Sequence, residues 1–430
     1  MISKAVLSQI ILDFKDFEIP EHIIQRDLKI KPNIPIKRAI TIMGPRRCGK
    51  TYYLYSIILE LIKSGIEKER ILYVNFENPK LVGMEMKDLQ ILMEAFFEMY
   101  PENKEEKVWL FFDEIQNIAH WEIFVRNLID NEKCQIFLSG SSAKLLSKEI
   151  ATSLRGRTLT YSLLPFSFPE FLRAKKSEIK GSLSSKEKNY IVKAFAEYLD
   201  CGGYPETIFY PEERKRIINE IIDITIYRDL VERYSLRNIK VIKMLFNYLI
   251  KSKEFSINKF YHFLQSMNIF ISRNSLYDYL EFFNEAFIFF PLKKFSFSLK
   301  KLEQSASKIY TIDNAFITEI IGEDKGKKLE NFVFLKLLNS GLIINKDFFY
   351  YEDGKEVDFL IKDKNSAVML LQVCYDIDDF NTKGREVGSL LKASEELKCD
   401  NLAIITFDYE KTEKNGGKTI NFIPAWKWDL

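Results

Sequence analysis

The sequence predicts an α/β chain whose first half is a doubly wound parallel sheet, followed by a helical segment and a second α/β unit. Three observations predict it. Between residues 38 and 164, apolar runs of strand length alternate with helical patterns: "RAITIM", "RILYVNFEN", "KVWLFFDEIQNI" and "CQIFLSGSS". Strands covered on both faces read in this unbroken way, and strands spaced by helices imply a parallel sheet. A turn, "GPRRCGKT", joins the first of these strands to the helix "YYLYSIILELIKSG". The chain has 430 residues, 47% of them hydrophobic, enough for several cores and roughly two to four domains.

The elements follow in order. Residues 1–37 read as a helical preface ending in the proline-punctuated linker "KIKPNIPIKR". Residues 38–164 hold the parallel sheet. Residues 165–245 read as a helical lid containing the turn "CGGYPE". In 246–324, "VIKMLFNYLIKS", "SINKFYHFLQSM" and "SRNSLYDYLEFFNEA" read as helices, with Ser272 as an N-cap. The alternating "FIFFPLKKFSFSL" and "KIYTIDNAF" after them read as a two-stranded wing, which makes a winged helix. Residues 325–430 open with the helix "KKLENFVFLKLLNSG" and continue as a small α/β domain.

Charge is nearly balanced, with 63 basic and 61 acidic residues, so any nucleic-acid surface must be local. The apolar runs are short and broken by charge, which argues against a membrane span, and the N-terminus lacks a signal-peptide cleavage pattern. Five scattered cysteines without a CxxC pair suggest reduced thiols in a cytoplasmic protein and no zinc ribbon. Abundant Lys, Glu and Ile beside three His hint at a thermophile.

The turn Gly44-Pro45-Arg46-Arg47-Cys48-Gly49-Lys50-Thr51 fits GxxxxGK[ST]. The two glycines let the backbone curl its N–H groups toward phosphates, and the helix that follows adds its positive end. Lys50 would reach the β- and γ-phosphates of ATP, and Thr51 would hold Mg²⁺. Asp113 ends the apolar strand "VWLFF" and is the second candidate for the metal; Glu114 is the candidate to polarise the attacking water. Ser141 or Ser142, after the next strand, would lie between the two halves of the site and sense the γ-phosphate. Arg155 and Arg157 in "SLRGR" are either surface charges or an arginine finger that reaches a neighbouring copy.

From 251 to 310 nine basic residues face five acidic ones. Lys293, Lys294, Lys300 and Lys301 cluster on the wing, where phosphate contacts are made; Arg273 opens the recognition helix. This surface reads as a DNA interface or, failing that, as a solvated hairpin used for packing.

"EVDFLIKDKNSAVMLLQVCYD" reads as two buried strands with an acidic pair at the mouth of the first. A metal-dependent nuclease needs a carboxylate on the preceding helix, for which Glu330 is the candidate; one at the strand end, Asp358 beside Glu356; and E/Q-x-K on the next strand. There Gln372 is present, but Cys374 stands where the lysine should be. A buried thiol gives no positive charge. Glu330, Asp358 and Gln372 would then hold a divalent ion loosely, or serve only as structural hydrogen-bonding groups.

"GPRRCGKT", "ILYVNFENPKL", "LFFDEIQNIAHWEIFVRNLID", "IFLSGSSAKLLSKEIATSLRGR" and "LLPFSFPEFL", in this order, resemble the AAA+-type ATPases of archaea and bacteria that carry a winged helix and a C-terminal PD-(D/E)xK, restriction-endonuclease-like domain. The resemblance runs from about residue 35 to residue 430. It implies that Lys50, Thr51, Asp113 and Glu114 carry ATPase roles with ATP and Mg²⁺. The expectation is a self-associating ATP-driven switch or motor acting on DNA, with a degenerate nuclease-like domain of no or very weak activity. The alternatives are an ATP-regulated endonuclease that borrows a lysine from elsewhere and a signalling ATPase that binds protein partners.

Overall fold

The computed structural model describes residues 2–141, 154, 156–179, 181, 183–364 and 366–429. The chain forms two compact units, Met1–Leu164 and Pro165–Leu430.

The first unit is built on five parallel strands: β1 (Ala39–Met43), β2 (Ile71–Asn75), β3 (Val108–Asp113), β4 (Cys134–Gly140) and β5 (Thr158–Ser162). Their order is β2-β3-β4-β1-β5. The apolar strands β1 to β4 are buried almost throughout, as their unbroken hydrophobicity requires. β5, "TLTYS", is a partly exposed edge strand whose polar residues hid it among the four expected strands. All strands run the same way, with Met43 opposite Gly140 and Asn75 opposite Asp113. The ends of β1, β3 and β4 therefore share one edge, where ligands of such sheets bind. The helical preface is part of this core. The helix Lys4–Asp16 starts on the Ser3 side-chain cap, and Phe14 and Ile30 pack with Ile40, Phe111 and Phe137.

The second unit opens with the helices Phe168–Ala174, Ser185–Cys201 and Pro205–Phe209, then Arg214–Ile224, which continues as a π-helical stretch over Thr225–Glu232. The helices Ile239–Lys251, Ile257–Ser266 and Arg273–Glu285 follow, with a three-stranded sheet of β6 (Glu254–Phe255), β7 (Phe289–Lys293) and β8 (Ser307–Thr311) in the order β6-β8-β7. Two features differ from the expected simple hairpin. A short helix, Leu299–Gln304, lies between β7 and β8 and carries Lys300 and Lys301. β8 ends at Thr311, and Asp313 caps a new helix, Asn314–Ile321, through Ala315 N–H. That turn chemistry overrides the apolar alternation of "KIYTIDNAF".

The final part pairs the helix Lys325–Asn339 with a six-stranded mixed sheet: β9 (Phe348–Glu352), β10 (Glu356–Asp363), β11 (Ser366–Cys374), β12 (Leu402–Thr406), β13 (Lys411–Asn415) and β14 (Lys418–Pro424), in the order β13-β14-β12-β11-β10-β9. The helix Phe380–Leu397 covers one face through Leu390 and Ala393. The chain after β7 runs onto this sheet: Phe295 N–H donates to Tyr350 O at 2.7 Å, and the Phe295 ring joins the core. β8 is fastened to the helix Lys325–Asn339 by the stacked rings of Tyr310 and Phe334, 4.3 Å apart. The Asn331 amide completes the attachment by pairing with both backbone groups of Thr311. No helix among the described residues is long and apolar enough to cross a membrane.

Candidate functional site

The GPRRCGKT loop is held from below and behind. A Cβ on Gly44 would lie 1.9 Å from Leu163 O, so only glycine lets the loop pass that strand end. Arg47 at φ 60° and Gly49 at φ 99° are left-handed, the kind of backbone that forms an anion concavity. Gly49 caps the helix Lys50–Lys63 with no side chain to cover its first amides, so they suit a phosphate. Cys48 is wholly buried, and burial pushes its thiol up; it packs and stays neutral. Arg46 pairs with Glu77 at 3.1 Å.

A residue outside the motif braces the loop. Buried Arg26 donates to Cys48 O at 3.0 Å and to Leu164 O at 2.5 Å. Nothing local in the sequence marks it, because its partners lie 22 and 138 residues away. Arg26→Ala should weaken binding of an ATP analogue about tenfold, since charge-assisted hydrogen bonds are worth about 1.5–3 kcal/mol. A fluorescent-nucleotide titration checks this, and unchanged affinity would leave Arg26 a packing residue.

The catalytic candidates converge at the shared strand edge. Thr51 Oγ1 donates to Asp113 Oδ2 at 2.6 Å, and Tyr73 OH donates to the same oxygen at 2.9 Å. Ser139 Oγ donates to Asp113 Oδ1 and accepts from Glu114 N–H at 3.1 Å. Burial pushes the Asp113 carboxyl up, and the three hydroxyls pull the other way. Lys50 Nζ lies 3.3 Å from Glu114 Oε1 and bonds Gly44 O and Pro45 O at 3.2 and 3.1 Å. Burial works against the charge on both partners. Glu114 outweighs it to raise Lys50, while Lys50, Gln116 and Arg46 hold the Glu114 carboxyl below the usual range. Glu114 is thus anionic at neutral pH, the state a base needs. Its backbone is left-handed at φ 55°, which is sparse for a non-glycine residue and marks functional positions.

Ser141 N–H donates to Glu114 Oε2 at 3.2 Å, while the buried Ser141 Oγ has no partner among the described residues. β4 lies between β1 and β3, so Ser141 stands between the two halves of the site. Ser139 and Tyr73, which touch Asp113, are additions to the expected set. The donors fit a nucleotide with its metal: Lys50 and the uncovered helix amides would hold phosphate oxygens, and Thr51 with Asp113 supplies the hard oxygens Mg²⁺ takes.

Of the two candidate arginines, Arg157 is the one among the described residues. Arg157 pairs with Asp130 at 3.1 Å and precedes Thr158, which is opposite Ala39 at the start of β1. It therefore sits at the end of the sheet away from the loop. Ser142 and Arg155 lie outside the described residues.

The second expected site is arranged differently from the sequence expectation. Glu330 and Asp358 do come together, but around Lys308. Its Nζ lies 2.7 Å from Asp358 Oδ1, 2.9 Å from Glu330 Oε1 and 2.9 Å from Glu356 Oε1. Burial alone would lower Lys308, but Asp358 and Glu330 hold it well above the usual lysine range. Burial pushes Asp358 up to about 7 against the pull of Lys308. Gln372 is not part of this cluster. Its Oε1 accepts from Asp358 N–H at 3.2 Å, and its amide nitrogen donates to buried Glu386. Cys374 faces the hydrophobic core, with its thiol pushed up to about 12 by burial.

The expected basic surface is thinner than the sequence suggests. Lys308 is 2% exposed and Lys294 pairs with Glu352 at 2.9 Å. Lys293 donates its backbone N–H to Asn345 at 2.7 Å and is half-buried. Lys300 and Lys301 are exposed. Arg273 is exposed too, with its guanidinium 4.8 Å over the Tyr261 ring.

The loop, the acid pair and the strand order define a P-loop protein of the AAA class, and residues 36–172 match the AAA domain family. Two domains of unknown function match further stretches, DUF8612 over 192–327 and DUF4143 over 325–428. The chain belongs to the family of the uncharacterized protein MJ1544 of Methanocaldococcus jannaschii, with which it is 41% identical over all of this chain and 96% of that one. An uncharacterized protein of Haemophilus influenzae is 29% identical over 94% of this chain and 97% of its own length. Among solved structures, the Aeropyrum pernix ORC1 protein in complex with DNA aligns at 12% identity and a TM-score of 0.30, over 79% of this chain and 94% of that one. AMPPCP-bound DnaA from Aquifex aeolicus aligns at 16% and 0.25, over 58% of this chain and 83% of that one.

Proposed function

We propose that the chain binds ATP with Mg²⁺, hydrolyses it, and uses the cycle as a switch acting on DNA, with several copies assembling. The observation that carries the ATPase reading is the buried Lys50–Glu114 pair beside the Thr51–Asp113 hydrogen bond. Phosphate release in the presence of Mg²⁺ tests it; release no faster than from a Lys50→Ala chain would overturn it. Turnover per subunit that rises with protein concentration would support assembly, and a flat profile would argue for a self-sufficient monomer.

The DNA reading rests on exposed Lys300, Lys301 and Arg273. Replacing Lys300 and Lys301 by Ala should weaken duplex binding equally on all sequences and lower the salt slope by about 1.8, at roughly 0.9 per lost phosphate contact. An unchanged slope would remove these lysines from the interface.

A second reading, a switch that binds a protein partner, is favoured by one observation. The helices Ile257–Ser266 and Arg273–Glu285 and the turn joining them expose Phe263 (41%), Met267 (49%), Phe270 (81%) and Tyr277 (57%). The second of these helices also carries one arginine against three acids, a poor charge for entering a DNA groove. Failure to bind duplex DNA at low salt would select this reading.

A further inference from the structure

Lys308 leaves β8 among residues that look like a basic surface in the sequence, yet its ammonium ends among three carboxylates. Glu330 comes from the helix Lys325–Asn339, and Glu356 and Asp358 from β10. Tyr310, two residues along β8, donates to the same Glu330 oxygen at 2.7 Å. Lys253 reaches Glu356 at 3.2 Å, and Val373 N–H donates to Asp358 Oδ2 at 2.9 Å.

We propose that Lys308 is the resident cation of this cluster. Its ammonium fills the place a divalent ion would need, and it clasps β8 to the helix Lys325–Asn339 and to β10. An ammonium has three N–H donors and no more. Two of them go to Glu330 Oε1 and Asp358 Oδ1, and Glu356 Oε1 lies 2.9 Å away as a third ion-pair partner. A lysine that stabilises a reacting phosphate must be able to turn to it, and Lys308 is 2% exposed with its ammonium enclosed by three carboxylates. A divalent ion needs oxygens converging at about 2.0–2.6 Å, and the ammonium stands at the point of convergence. The residues therefore do not fit the metal that a nuclease-like domain implies.

The cluster becomes a cation site when the lysine is replaced by a neutral residue. A cavity of about 270 Å³, lined by Lys308, Glu330, Tyr310, Asp324, Lys327 and Asn331, borders the cluster on the Glu330 side. Thermal unfolding of the full chain with and without Mn²⁺ tests it. Wild type should show no Mn²⁺ stabilisation beyond that of Asp358→Asn. Lys308→Met should melt lower and regain about 5–10 °C at a hundredfold excess of Mn²⁺ over its Kd. Lys308→Met with Asp358→Asn should lose that response. If Lys308→Met does not fold without metal, folding of this double variant shows that uncompensated charge was the cause; failure of both overturns the proposal. So does a folded Lys308→Met that ignores Mn²⁺. Mn²⁺-dependent nicking of supercoiled plasmid by wild type, lost in Asp358→Asn, would also overturn it and make Lys308 part of a cutting centre.

Discussion

A Glu114→Gln chain should bind MgATP at least as tightly as wild type and turn it over about 10²–10⁴ times more slowly, the usual worth of a positioned base. The geometry dictates both halves. Glu114 is held by Ser141 N–H at 3.2 Å and by its left-handed backbone, neither of which depends on its charge. A glutamine keeps the oxygen that accepts from Ser141 but cannot take a proton from water. Lys50 loses its buried counter-ion at 3.3 Å and is free to satisfy itself on phosphate instead, so affinity should not fall. Lys50→Ala should do the reverse and abolish binding, because it removes the cation and leaves Glu114 buried without its partner. Single-turnover assays separate the two effects. Hydrolysis by Glu114→Gln at the wild-type rate would end its assignment as the base.

Gly202→Ala should cost the second unit about 3–5 kcal/mol, among the largest effects of any single methyl in the chain. Gly202 sits at φ 71°, and an added Cβ would lie 1.6 Å from Asp313 Oδ1. The backbone, at φ 71° and ψ −164° in a region essentially reserved for glycine, accounts for about 1–3 kcal/mol. The rest comes from moving Asp313. Its carboxyl accepts from Gly203 N–H at 2.7 Å and Ala315 N–H at 2.8 Å, and burial has already pushed it up to about 7. Displacing it orphans buried groups at about 1–3 kcal/mol each. Gly322 separates the two causes. It has the same kind of positive-φ backbone, at φ 87° and ψ −123°, but a Cβ there meets nothing within 4 Å. Gly322→Ala should cost only the backbone strain. Equal losses for the two variants in urea unfolding would mean that the contact with Asp313 does not matter.

What the sequence discloses is what its neighbours enforce. The phosphate loop is legible because eight consecutive residues build it, and Asp113 because an acid after five apolar residues marks a strand end. Tyr73, Ser139 and Arg26 escape because strand order and long-range contacts, not local pattern, bring them to Asp113 and Cys48. β5 and β13 are edge strands with polar, partly exposed residues, so they lack the apolar run that betrays a buried strand. Lys308 misleads most, because nearby lysines suggest a solvated face. The signal against that was the two-residue period of "SKIYT", which places Lys308 on the face of Tyr310 and so against the helix bearing Glu330.

The Lys308 clasp ties four positions to one charge balance, although 50 residues separate 308 from 358. Drift at one position is then not free at the others. A descendant that exchanges the lysine for a neutral residue inherits surplus negative charge, and it survives by neutralising an acid or by recruiting a metal. Within the family, positions 308, 330, 356 and 358 should therefore change in concert. A lineage that lost only the lysine would be the place to look for a metalloenzyme arising from a structural joint.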